Sequence, residues 1–129
     1  MKQVTAAILI KDRKILIAKR KADERQANKW EFPGGTVEQD ESPEACLKRE
    51  MQEEFGIEVT IGEYIGESIY PYSHGVIKLL AYRVHWASGK IVLKDHADYR
   101  WVSSAQLTGY DFAAADIPIV EKLQHTDNK

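Results

Sequence analysis

The 129-residue sequence predicts a single domain of the α+β class. Three observations carry this expectation. β-branched apolar runs of strand length lie on both sides of one sharply bounded helix, no repeat or linker interrupts them, and the length suits one hydrophobic core. Residues 4–10 and 15–18 read as two strands, with Asp12-Arg13 as the hairpin turn between them. Residues 19–29 are polar without a clean period and read as an exposed loop. Trp30-Glu31-Phe32 then runs into Pro33-Gly34-Gly35, a sharp turn that element interiors do not tolerate.

The helix opens at Ser42, an N-cap residue followed by Pro43 at the first helical position and Glu44 near the positive end of the dipole. Gly56 supplies the stop, and Leu47, Met51 and Phe55 form the buried stripe. Residues 59–72 and 76–86 read as two long strands joined through Tyr72-Ser73-His74-Gly75. Residues 99–102 form a short strand, and Ser103 caps a brief helix through Leu107. Asp116 caps a last helix ending near Gln124, with Ile117, Val120 and Leu123 turned inward, and residues 126–129 form a frayed tail.

The charge balance narrows the function. Eighteen basic and 20 acidic side chains leave a net charge of −2, which excludes a protein that coats nucleic acid. An anionic ligand must then be held by a few placed cations or by a metal. Cys46 is the single cysteine, so no intrachain disulfide forms and a cytoplasmic location is expected; Cys46 itself reads as a small packed residue. No apolar run reaches the length of a membrane span, and no signal-peptide pattern opens the chain.

On a helical wheel Leu47, Met51 and Phe55 occupy an arc of about 80°, and Glu50, Glu53 and Glu54 an adjacent arc of about 100°. Like charges so spaced repel, and a hard divalent cation with oxygen ligands removes the conflict. A solvated acidic face is the ordinary reading of such a run. The surrounding residues favour the metal: Gly35, five residues, Glu41, seven residues, Arg49-Glu50, then Met51, Gln52, Glu53-Glu54, Phe55, Gly56 and Ile57.

That stretch is the full pattern GX5EX7REUXEEXGU, with U an apolar residue, and the chain therefore resembles the Nudix hydrolases. The resemblance implies an α/β/α sandwich with a mixed sheet, a magnesium cofactor for which manganese substitutes, and substrates that are nucleoside diphosphates linked to another group. Carried over by position, Glu50, Glu53 and Glu54 are metal ligands and Gly35 offers its backbone carbonyl. Arg49 pairs with a box glutamate, Glu41 supports the loop, and Glu50 or Glu53 takes the proton of the attacking water, with the lean toward Glu50.

The flanks resemble the MutT-like group and its CTP-hydrolysing neighbours, through KRKADERQANKWEFPGG before the box and FAAADIPIVEKL near the end. This implies hydrolysis of nucleoside triphosphates to monophosphate and pyrophosphate, including oxidised or modified nucleotides. Arg20 takes the place of a phosphate-contacting arginine, against the alternative of a surface cation. Phe32 walls a base pocket or is a plain core aromatic. Asp116 stands where MutT itself has asparagine and the CTP-hydrolysing branch has aspartate; the resemblance implies that it accepts hydrogen bonds from a base edge, while a helix cap remains compatible with that role. Asp95 falls where a loop acid joins the metal site, with a turn-forming aspartate as the equal alternative. The other readings are hydrolysis of ADP-ribose or dinucleoside polyphosphates, which Pro71 favours slightly, and a non-catalytic nucleotide sensor. The expected partner is a small nucleotide, without nucleic acid or membrane, and the protein is a monomer or homodimer.

Overall fold

A computed structural model describes residues 1–127. Six strands run in the order β1 (Lys2–Lys11), β2 (Lys14–Lys19), β3 (Trp30–Glu31), β4 (Ile57–Tyr72), β5 (Gly75–Gly89) and β6 (Asp98–Val102). Helix α1 (Pro43–Phe55) separates β3 from β4, and α2 (Ile117–Asp127) follows two 3₁₀ turns at Ser104–Gly109 and Ala114–Asp116. Along the sheet the strands lie β3-β2-β1-β5-β4, with β6 on β2. β1 and β5 are parallel and the remaining pairs antiparallel, so the sheet is mixed, as expected.

Continuous apolar runs in β1 and β2 are explained by burial on both faces. Ala6, Ile8, Ile15 and Ile17 join the core beneath α2, where Ile119 and Val120 pack, while Ala7, Leu9, Leu16 and Ala18 face Leu47, Met51 and Phe55 of α1. Each of those three α1 side chains is fully buried, and each such burial contributes about 1.5–3 kcal/mol. One helix on each face of a sheet gives the three-layer sandwich. Cys46 is buried, its thiol 3.4 Å from the Thr5 hydroxyl and its pKa raised by burial, which suits packing and not nucleophilic attack.

Local signals act as read. Asp12 and Arg13 take φ of 52° and 65° in the β1–β2 turn, Ser42 Oγ accepts the Ala45 N–H, and Gly56 closes α1 at φ 71°. Ser103 forms a capping box with Gln106. The end of the chain departs from expectation. Asp116 caps nothing with its side chain; it closes a 3₁₀ turn, and its carboxylate is drawn instead to the Phe32 N–H, a buried donor with no strand partner. Ile117 is exposed because the turn rotates the helix, so Ile119 takes the inward place beside Val120. Helix α2 continues past Gln124 to Asp127, so residues 126 and 127 belong to it; the tail residues 128 and 129 lie outside the described residues.

The site is positioned by a fork. β1 and β2 pair only at Ile10↔Ile15 and Lys11↔Lys14, then part. The segment after β3 enters the opening: Ala7 N donates to Pro33 O at 2.6 Å, Thr5 N to Gly35 O at 2.8 Å, and Val37 N to Gln3 O at 3.0 Å.

Candidate active site

Helix α1 presents Arg49 to the loop that precedes it. Its guanidinium grips Glu41 with two bonds, Nε to Oε2 at 2.8 Å and Nη2 to Oε1 at 3.0 Å. Nη1 donates to Glu50 Oε1 at 2.9 Å and Glu53 Oε2 at 3.2 Å, and Nη2 to the Thr36 carbonyl at 3.2 Å. The Glu38 N–H also donates to Glu41, at 3.0 Å. Hydrogen bonds from Arg49 first, and the Glu38 amide second, hold the Glu41 carboxyl down at about 2. Arg49 thus bonds to Glu41, Glu50 and Glu53 of the box, and Glu41 is tied to the loop at Glu38.

The far side of the same helix edge is different. Glu50 and Glu54 line a pocket of about 170 Å³ with Asp95, Gly34, Gly35, Arg20, Glu31 and His96. The loop carrying Asp95 is tied to the end of α1 by Val92 N to Phe55 O at 2.9 Å and Lys94 N to Glu54 O at 3.2 Å. Burial, then the neighbouring Asp95, push Glu54 up to about 7. Glu50 is raised too, by burial, against the opposing pull of Arg49. A Cβ at position 35 would lie 2.3 Å from the Glu50 carboxyl carbon, so a larger residue there would push that carboxylate aside.

Two expected ligands sit otherwise. Glu53 does not line this pocket; its side chain is 57% exposed and held by Arg49 on the outer side. The Gly35 carbonyl is turned into the fork, where it accepts Thr5 N at 2.8 Å and Thr5 Oγ1 at 3.2 Å, so both lone pairs are engaged and the expectation that it faces a metal is corrected. Its neighbour Gly34 lines the pocket, and among the described residues no hydrogen bond reaches the Gly34 carbonyl. No three His, Cys, Asp or Glu side chains among the described residues already converge on one ligating point. Arg49 holds Glu50 and Glu53 back. The donors are nevertheless all oxygen and carry mutually repelling charge, a set that fits a hard divalent cation.

A second cleft, of about 220 Å³, opens on the other side of Arg20, Glu31, Gly34 and Gly35, which line both. Phe32 and Asp116 lie in it, with Tyr72, His74, Lys2 and Arg25 around them. Phe32 is both core and wall: it is 3% exposed, its ring lies 5.3 Å from Phe112, and its N–H donates to Asp116 Oδ2 at 3.0 Å. Asp116 is buried, and burial, reinforced by Glu31, raises its pKa well above the ordinary value. Its Oδ2 accepts the Phe32 N–H as expected of a carboxylate, while burial and Glu31 work against the ionised form. Burial favours the neutral acid, which accepts and donates as an amide does. Arg20 is not a free surface cation; Nη1 donates to Glu31 Oε1 at 3.1 Å and Nε to the Arg25 carbonyl at 2.6 Å. Pro71 is exposed and lines neither cleft.

Sequence reasoning overlooked Glu31 and His96. Glu31 Oε2 pairs with His96 Nε2 at 2.9 Å while Oε1 holds Arg20, and the His96 ring stacks on Phe55 at 5.2 Å. The available signal was the placement of an acid in a two-residue strand beside a buried tryptophan. Tyr72 and His74, stacked at 5.3 Å, were read only as a connection.

The NUDIX domain family model matches residues 1–123. The chain belongs to the Nudix family. It is 43% identical over 121 residues to a CTP pyrophosphohydrolase of Escherichia coli K12, covering 94% of this chain and 90% of that one. To the 8-oxo-dGTP diphosphatase of the same bacterium it is 34% identical over 127 residues, covering 96% and 98%. The solution structure of the E. coli ORF135 protein superposes with a TM-score of 0.86 at 40% identity, covering 98% and 91%. This Nudix protein is accordingly a hydrolase with one mixed-sheet domain, and hydrolases of the family need a divalent metal. Among the described residues no helix is long and apolar enough to cross a membrane.

Proposed function

We propose that this protein hydrolyses nucleoside triphosphates to the monophosphate and pyrophosphate in the cytoplasm, with magnesium as its metal and manganese able to replace it. The observation that carries the reading is the pair of joined clefts: an oxygen-lined pocket at Glu50, Glu54 and Asp95 meets an aromatic cleft at Phe32 and Asp116 across Arg20 and Glu31. A polyphosphate needs the first and a base the second.

When bound, the divalent cation neutralises phosphate oxygens and lowers the pKa of water. Glu50, Glu54, Asp95 and the Gly34 carbonyl would hold it, with Glu53 joining from the outer edge of α1 after leaving Arg49. Gly35 acts through its missing side chain, which lets the Glu50 carboxyl approach. Glu50, half-buried and raised in pKa, accepts the proton of the attacking water. Arg20 steadies the phosphate chain through its guanidinium fork, held in place by Glu31. Phe32 walls the base, and Asp116 reads its edge as a neutral acid.

The test is release of pyrophosphate from a panel of CTP, dCTP, 5-methyl-dCTP, 8-oxo-dGTP, dGTP and ADP-ribose, in magnesium and then manganese. Turnover of triphosphates with ADP-ribose inert supports the reading. No pyrophosphate from any triphosphate, or an unchanged rate for Glu50→Gln, sinks it.

A further inference from the structure

At the other end of the molecule the sheet and α2 enclose a third cleft, of about 700 Å³, and its lining is basic. Arg13 comes from the β1–β2 turn, Arg83 from β5 and Lys122 from α2, against Glu63 as the one acid among the described lining residues. Its walls include Tyr64 and Leu123. The place is distinct from the paired clefts: Val4 and Thr5 of β1 line the catalytic side and Ile10 lines this one, about 20 Å along an extended strand.

Arg83 draws the inference. Its Nε is buried without a hydrogen-bond partner, and neither Arg83 nor Arg13 enters an ion pair among the described residues. A buried guanidinium nitrogen without a partner is uncommon in a folded protein, and it marks Arg83 as a side chain with bonding capacity to spare. The Lys122 ammonium reaches over β4, where a Cβ on Gly66 would stand 2.8 Å from Nζ. Guanidinium forks and an ammonium around one space suit a phosphate, whose oxygens accept from all three. Tyr64, which lines the cleft and is 49% exposed, is the aromatic side chain available to whatever the phosphate carries.

We propose that this cleft is a second, non-catalytic binding site for a phosphate monoester bearing an aromatic group, held by Arg83, Arg13 and Lys122. Recognition uses charge-assisted hydrogen bonds to the phosphate and stacking on Tyr64; no covalent step is involved.

The experiment is NMR titration of the full chain with metal chelated, following the Arg83 Nε–Hε and Tyr64 ring resonances. Inorganic phosphate and AMP are the two probes. AMP should move both sets of resonances and bind more tightly than phosphate. Arg83→Gln should weaken AMP binding on the order of tenfold, the equivalent of one charge-assisted hydrogen bond. If Arg83→Gln fails to fold, the double variant Arg13→Gln/Lys122→Gln must show the weakening, with triphosphate hydrolysis unchanged. Shifts confined to Phe32 and Gly34, binding of phosphate but not AMP, or full binding by the double variant would each overturn the proposal. Because no turnover is read in the titration, its outcome stands apart from that of the hydrolase assay.

Discussion

Two carboxylates of the Nudix box, Glu41 and Glu54, carry the same side chain and end at opposite extremes. Glu41, gripped by Arg49, is held down at about 2, whereas Glu54, crowded by burial and Asp95, is pushed up to about 7. The difference is the counter-ion. One edge of α1 brings its own cation and builds a rigid loop; the other leaves its charge uncompensated. The first is architecture, and the second is the edge proposed to hold the metal.

The sharpest way to break this comparison is at Glu50, which touches both edges. Glu50→Gln keeps one bond to Arg49 and removes the proton acceptor, and kcat/KM should fall about a thousandfold with little change in melting temperature. Arg49→Ala attacks the architectural edge alone. It leaves Glu41, Glu50 and Glu53 without their shared partner and should cost about 2 kcal/mol in urea unfolding, less than a fully buried network because the guanidinium is 24% exposed. A variant as stable as the parent would refute the architectural role.

A smaller effect is expected from Asp116→Asn, since an amide has a bonding capacity similar to that of the neutral acid proposed to read the base. Base preference in the triphosphate panel should shift by about tenfold or less, whereas a shift of several orders would mean that Asp116 reads the base as an ionised carboxylate. The smallest effect is in pH dependence. Without metal, native Glu54 keeps a proton that the unfolded chain loses above the ordinary 4.5, so its contribution to stability falls as pH rises from 4.5 to about 7. Glu41 works in the opposite sense, its stabilisation being lost as pH falls from 4.5 toward 2. Melting curves in chelator should show the neutral-pH decline in the parent and not in Glu54→Gln, and magnesium should abolish it in the parent.

Much of this was legible in the chain because the box is local. Ser42, Leu47, Met51, Phe55 and Gly56 determine α1 through rules that span a few turns, and the spacing of Arg49 and Glu50 follows from the wheel. Asp95 was placed beside the box by resemblance, and the ties from Val92 and Lys94 to α1 are what put it there physically. What was not legible depends on partners distant in sequence. Gly35 and Gly34 differ only in which carbonyl β1 captures, and nothing in the motif tells which way the peptide turns. Glu31 and His96 meet across 65 residues. Asp116 looked like a cap because caps are local; its true partner, the Phe32 amide, is 84 residues away.

The fork between β1 and β2 has a consequence for selectivity. Phe32, whose amide is bound to Asp116, and Gly34, which lines the acidic pocket, belong to the same short wedge and are two residues apart. In extended chain that is about 7 Å, and both ends are pinned, one to Asp116 and the other through Gly35 to Thr5. The wedge is therefore a ruler. With a base and a phosphate chain in the two clefts as proposed, that fixed span would refuse a molecule of the wrong length at one end whenever it is seated at the other, whatever its charge.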